Sequence, residues 1–316
     1  MVNFTHVKTP NFPFRLKYSD LILSLGSCFA INMANRLNNL KYKTYQNPTG
    51  ITFNPISLSY TLKMLQFPNS LHETDSQCHQ EVWSHPDFHG FYNHPDKTIH
   101  QDRLKSSLQS AHSHLQTTST VLITLGTAYV FRSKKTGRIV NNCHKLPADQ
   151  FVKELLDKSE IEEALKSIIA SIDSISNKNV QFILSVSPVR HIKNGLVEDR
   201  LSKSLLLVAA HSIIKNQERA HYFPAYEILT DELRDYRYYE DDLIHPSKKA
   251  VDAIFGMFET ALLDDKEAHI RAEINNLTAR KNHRALFPET EAHQRFLEKL
   301  AEDEKNLIER YPFLND

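Results

Sequence analysis

A chain of 316 residues is long enough for one large domain with an appendage. Its 38 basic and 38 acidic side chains balance, which argues against a nucleic-acid or membrane-surface partner held by long-range electrostatics, and no apolar run is long enough to span a bilayer. Three cysteines (Cys28, Cys78, Cys143) build no disulfide framework, and the first twenty residues lack the apolar core of a secretory leader, so a cytoplasmic location is expected.

In chain order, apolar runs of strand length alternate with amphipathic helical stretches. "LILSL" (21–25) reads as a strand, and Ala30, Met33, Ala34 and Leu37 mark a helix over 29–39. A polar helical stretch over 101–116 leads into a second strand, "VLITLG" (121–126). "EIEEALKSIIASIDSI", with Ala164, Ile168, Ile169 and Ile172 at helical spacing, leads into "VQFILSVSP" (180–188). A helix over 197–216 precedes a short strand near "AHYFPAYEI" (220–228). This alternation predicts a parallel sheet covered by helices on both faces, a doubly wound α/β layer.

Two segments interrupt it. "YVFRSKKTGRIVNN" (129–142) alternates apolar and polar residues about a Lys-Thr-Gly centre and reads as a β-hairpin. Residues 68–100, rich in His, Pro, Asn and Asp, lack periodicity and read as a long functional or disordered loop. Beyond about residue 263 the strand signals stop. Ile270, Ile274 and Leu277, then Phe296, Leu300, Leu307 and Tyr311, predict two helices, with Pro288 suited to the start of the second. The expected division is an α/β domain over 1–262 and a helical extension over 263–316 packed on it.

The first strand ends abruptly in Gly26, Ser27 and Cys28, at the strand-to-helix corner where α/β proteins present reactive groups. A serine needs a base, and the base an orienting partner. "DDLIHPS" (241–247) offers both: Asp242 can hold the Nδ1 proton of His245 and leave Nε2 free to take the Ser27 proton. Each residue has a plainer role as well. Ser27 suits the N-cap of the following helix, Asp242 and His245 suit a local loop pair, and Cys28 suits buried packing as much as nucleophilic attack. Arg190 and His191 follow a strand directly, so Arg190 can bind a polar or anionic substrate group or form a structural ion pair. His79, His85, His89, His94 and His100, with Cys78, Asp87 and Asp96, are zinc-ligand types, but their intervals match no recognised zinc pattern and no metal is expected.

"GSCFA" (26–30), "NPTGITFNP" (47–55), "ITLGTAYVF" (123–131), "NNCHK" (141–145), "SVSPVRH" (185–191), "DDLIHPS" (241–247) and "HRALFP" (283–288) stand in the order of the blocks of the GSCFA-domain family. The chain is identified by them as a member of that family, which resembles a branch of the SGNH (GDSL-like) hydrolase superfamily. The resemblance implies a three-layer α/β/α, flavodoxin-like body with Ser27, Asp242 and His245 as the triad. It also implies an oxyanion hole from the backbone N–H groups of Ser27 and Gly50, and a place for "WSHPDFHG" (83–90), with His85 and His89, at the mouth of the site. Two blocks depart from the superfamily pattern. Gly26 stands where an Asp is usual, and Gly126-Thr127-Ala128 puts an alanine where an Asn side chain completes the oxyanion hole. Asn47, Asn54 and Asn142 are the polar side chains to test as substitute donors, and Thr127 is counted with them among the expected oxyanion- or substrate-binding residues.

The expected function is that of a serine esterase or O-acyltransferase acting on a small-molecule or glycan ester, such as an acylated carbohydrate, through an acyl-serine and without a cofactor. The alternative is a catalytically silent relative that binds a glycan or protein partner.

Overall fold

The computed structural model describes residues 5–69, 71 and 75–315. Five parallel strands form the central sheet: β1 (Leu21–Gly26), β2 (Lys43–Gln46), β3 (Thr120–Leu125), β4 (Gln181–Val186) and β5 (Ala220–Tyr222). Their spatial order is β2-β1-β3-β4-β5, the flavodoxin-like order, whose direction of winding reverses beside the first strand. The register pairs Gly26 with Thr124 and Leu125 with Val186, so β1, β3 and β4 end together at one edge.

Both faces of the sheet are dry, which is why its strands read as unbroken apolar runs. Leu23 and Leu25 of β1, Val121 and Ile123 of β3, and Phe182 and Leu184 of β4 belong to one core. That core is closed by α2 (Pro55–Gln66), α3 (Lys97–Thr117), α4 (Lys158–Ile175) and α5 (Leu196–Asn216). The alternate residues Ile22, Leu122 and Ile183 face a second core. There Phe29, Met33 and Leu37 of α1 (Cys28–Asn39) meet Ile254 and Phe258 of α6 (Lys248–Leu262). The result is a three-layer α/β/α body.

Local chemistry sets the helix ends. Asp157 and Glu160 form a reciprocal capping box on α4, whose Ile161, Leu165, Ile168 and Ile172 then fall on one buried stripe. Asp96 caps α3 through the Ile99 N–H at 3.0 Å, so this helix starts several residues before the periodic stretch that predicts it. The expected hairpin forms between Tyr129–Ser133 and Ile139–Val140 and gains a third antiparallel strand, Phe151–Leu155. The segment over 68–100 is less irregular than expected. Among its described residues, Gln77–His79 pairs with Val82–Ser84, and a single 3₁₀ turn spans Gly90–Tyr92.

After residue 263 come α7 (Ala268–Lys281) and α8 (Glu291–Arg310), the second capped by Thr290 rather than started by Pro288. Ile270, Ile274 and Leu307 pack into the core that holds α1 and α6. Arg271 is buried at that seam, where it donates to Glu259 Oε1 at 2.8 Å, the Asp264 carbonyl at 2.8 Å and the Tyr42 hydroxyl at 3.3 Å. No helix among the described residues is long and apolar enough to cross a membrane.

Candidate active site at the carboxyl edge of the sheet

Gly26 makes the corner possible. Its φ of +126° lies in a region that favours glycine, and a Cβ there would sit 2.1 Å from the Thr124 carbonyl oxygen on β3. The aspartate that the SGNH resemblance leads one to expect here does not fit this backbone. Ser27 follows in the N-cap position of α1, yet its side chain caps nothing. Its Oγ is wholly buried and has no hydrogen-bond partner among the described residues. The helix-capping role is therefore absent, and a buried hydroxyl left unpaired in a native fold calls for another explanation.

The 47–54 loop lies against this corner. Asn47 Oδ1 accepts the Gly26 N–H at 2.8 Å, while Asn47 Nδ2 is buried with no acceptor among the described residues. Its φ of +39° is one that Asn tolerates better than most residues. Asn54 is used up locally: Oδ1 accepts the Ser57 N–H at 2.8 Å and Nδ2 donates to Ser57 Oγ at 3.0 Å, capping α2. Asn142 is likewise a loop residue, accepting the His144 N–H at 2.9 Å.

The two expected backbone donors are engaged elsewhere. The Ser27 N–H donates to the Thr124 carbonyl at 3.1 Å, continuing the β1–β3 ladder, and the Gly50 N–H donates to the Asn47 carbonyl at 2.8 Å, closing a turn. Gly50 has a different, visible role. At φ +82° it lets His89 approach so closely that a Cβ on residue 50 would lie 2.2 Å from the His89 Cβ. The His89 N–H also donates to the Thr49 carbonyl at 2.8 Å, so the 84–90 segment is docked on this loop. His85 is buried beside it, its Nδ1 accepting the Asp87 N–H at 3.2 Å and its Nε2 without a partner among the described residues. Burial, then the Arg138 charge, pull its pKa down to about 3, so the ring is neutral. Asp87, also buried, pairs with Arg138 at 2.6 Å, and burial raises its pKa to about 6. Among the described residues no three His, Cys, Asp or Glu side chains converge as metal ligands.

In the third block, the Gly126 and Thr127 N–H groups both donate to the Phe53 carbonyl, at 2.8 and 3.0 Å. Thr127 Oγ1 pairs with Ser202 Oγ at 3.0 Å, and Ala128 is a fully buried member of the core between sheet and helices. Residue 128 thus packs where a polar side chain would be buried in that core.

The expected base and its partner lie on the loop before α6. Asp242 Oδ2 lies 2.7 Å from His245 Nδ1, and Oδ1 accepts the N–H groups of Ile244 and His245 at 2.9 and 3.0 Å. These bonds, the His245 N–H foremost, hold the Asp242 pKa down to about 2. Both side chains are about half exposed. The Arg190 N–H donates to the Ile244 carbonyl at 3.3 Å, which ties this loop to the chain leaving β4. The next residue, His191, is largely buried, and burial, then the Lys203 charge, pull its pKa down to about 4. Ser27, the 47–54 loop, His191 and the loop of the Asp242–His245 pair thus lie at one sheet edge, although among the described residues nothing hydrogen-bonds to Ser27 Oγ.

Sequence reasoning missed Lys203. It is fully buried, and its Nζ donates to the carbonyls of Gly126 (2.6 Å) and Ser187 (2.8 Å), tying the ends of β3 and β4 together. Burial lowers its pKa to about 8. A signal was present: Lys203 shares the stripe of Asp199, Leu206, Ala210 and Ile213, a cation inside the apolar face of α5.

Fold and site together define a flavodoxin-like α/β protein with an unpaired buried serine at the β1–α1 corner and a carboxylate-braced imidazole before its last sheet-packed helix. The chain belongs to the GSCFA family, which matches residues 21–258, and the C-terminal domain of GSCFA domain proteins matches residues 274–315. No curated protein matches it.

Proposed function

We propose that the chain is an SGNH-like serine esterase or O-acyltransferase acting on an ester such as an acylated carbohydrate. Ser27 Oγ attacks the carbonyl carbon while His245 Nε2 takes its proton, and Asp242 holds the Nδ1 proton and balances the imidazolium. The oxyanion is received by Asn47 Nδ2, the buried amide oriented by its bond to the Gly26 N–H. His245 returns the proton to the leaving alcohol, leaving an acyl-serine that water or an acceptor alcohol resolves by the reverse proton path. The reading rests on one observation above the others: a wholly buried, unpartnered serine hydroxyl at a helix start that it does not cap.

A fluorophosphonate probe is expected to label the wild type and not Ser27→Ala; equal labelling of both removes Ser27 from the mechanism. Asn47→Gly keeps the positive φ but deletes the amide, and should lower kcat about 100-fold if that donor serves the oxyanion.

A second reading, a ligand-binding protein without turnover, is favoured by the zero exposure of Ser27 and by the engagement of both backbone amides. It predicts that a small activated acetate ester is hydrolysed no faster by wild type than by His245→Ala.

A further inference from the structure

The loop that carries Asp242 also walls an open cavity of about 650 Å³, lined by Arg190, Arg234, Tyr236, Tyr239 and Leu243. Its charges are unevenly matched. Of the two carboxylates that line it, Asp235 pairs with Arg237 at 2.8 Å and Asp242 with His245 at 2.7 Å. Neither lining arginine has a carboxylate partner among the described residues. Arg190 is half-buried and meets only aromatic surface and a phenol, its guanidinium 5.7 Å from the Tyr239 ring centre and its Nη2 3.5 Å from the Tyr239 hydroxyl. Arg234 is exposed. In a chain of zero net charge, two unmatched guanidinium groups in one concave site are a local arrangement, not a reflection of a basic protein.

Around them the wall is apolar, with Tyr236 77% and Leu243 52% exposed. Guanidinium groups bind planar oxyanions bidentately, and removing a partly desolvated arginine from water leaves it short of partners until an anion arrives. Aromatic and aliphatic walls with a few fixed polar groups are the usual make-up of a small-molecule site.

We propose that this cavity binds an anionic oxyacid group, carboxylate or phosphate, carried by the ester substrate, with Arg190 and Arg234 as its specificity-determining residues. The proposal rests on the esterase reading for its substrate, and its binding claim stands apart from turnover. Asp242 lines the cavity and holds His245 at 2.7 Å, so an anion bound by the two arginines lies in the cavity that adjoins the proposed base.

Two measurements test this. In turnover, 4-nitrophenyl hydrogen adipate should exceed 4-nitrophenyl hexanoate in kcat/KM by at least about tenfold, a ratio that falls towards one in the Arg190→Gln/Arg234→Gln double variant. In binding, Ser27→Ala protein should hold monomethyl adipate or phenyl phosphate at least about tenfold more tightly than dimethyl adipate, with affinity weakening as salt rises. Whichever of the two anions binds names the source of the charge. Equal binding of charged and neutral probes, or a preference that survives loss of both arginines, overturns the proposal. If neither nitrophenyl ester is turned over faster than by His245→Ala, the esterase reading fails and the binding measurement alone decides the cavity's role.

Discussion

The two halves of the candidate site are built from opposite materials. Ser27 stands on a corner made of core: Gly26 against the β3 backbone, Asn47 on the Gly26 N–H, and Lys203 below, clasping two strand ends. Asp242 and His245 stand on a half-exposed loop whose hydrogen bonds are nearly all its own. The contrast separates two kinds of damage. Changes at the corner are expected to disturb the fold as well as any chemistry proposed there, whereas changes on the loop are expected to leave the fold intact. Ser27 is wholly buried, so under the proposed mechanism a substrate reaches it only when an overlying segment shifts.

Substitutions sharpen or break that contrast. The largest effect is expected at Gly26→Ala, where a Cβ meets a carbonyl oxygen and the φ is unfavourable; denaturant unfolding should show a loss of about 3 kcal/mol or more, or no folded protein. Lys203→Met comes next, because it leaves the Gly126 and Ser187 carbonyls without their donor, at about 1–3 kcal/mol for each group.

Lys203 also carries a pH signature. Its folded pKa of about 8 lies below the 10.5 of a free lysine, so between those values the unfolded chain binds more protons. Stability attributable to this residue therefore rises with pH from about 8 to 10.5, by at most about 3 kcal/mol. Urea midpoints of wild type measured against Lys203→Met across that window should diverge; parallel curves would mean that the ammonium is not desolvated.

The smallest effect on stability is expected at Asp242→Asn, with a melting temperature within about 2 °C of wild type and a kcat lower by a factor of about 10⁴. Since Asp242 stays ionised down to about pH 2, any acid limb in the rate above pH 4 belongs to another group. An unfolding transition shifted as far as that of Gly26→Ala would erase the distinction between loop and corner.

The sheet was legible because strands dry on both faces must be apolar throughout: "LILSL" and "VLITLG" have no other use. The Asp242–His245 pair was legible because three residues of spacing suffice to join its members. The engagement of the Ser27 and Gly50 amides was not, since backbone hydrogen bonds leave no mark in side-chain identity. Nor was the short antiparallel pair in the 68–100 segment, whose strands are three residues each and carry no clear alternation. Ala128 read as a lost donor, but the sequence could not say that this position lies in the core. Lys203 was in plain view and passed over, because a lysine among leucines is usually taken to reach for solvent.

The buried guanidinium of Arg271 bears on how this chain can be divided. It bridges a phenol before the second strand, a carboxylate on the last sheet-packed helix and a carbonyl of the connection beyond it. Cutting the chain at the start of the appendage would strip that tie and bare the aliphatic surface beneath it, so a shortened protein meant to isolate the α/β body would inherit an open seam rather than a finished face.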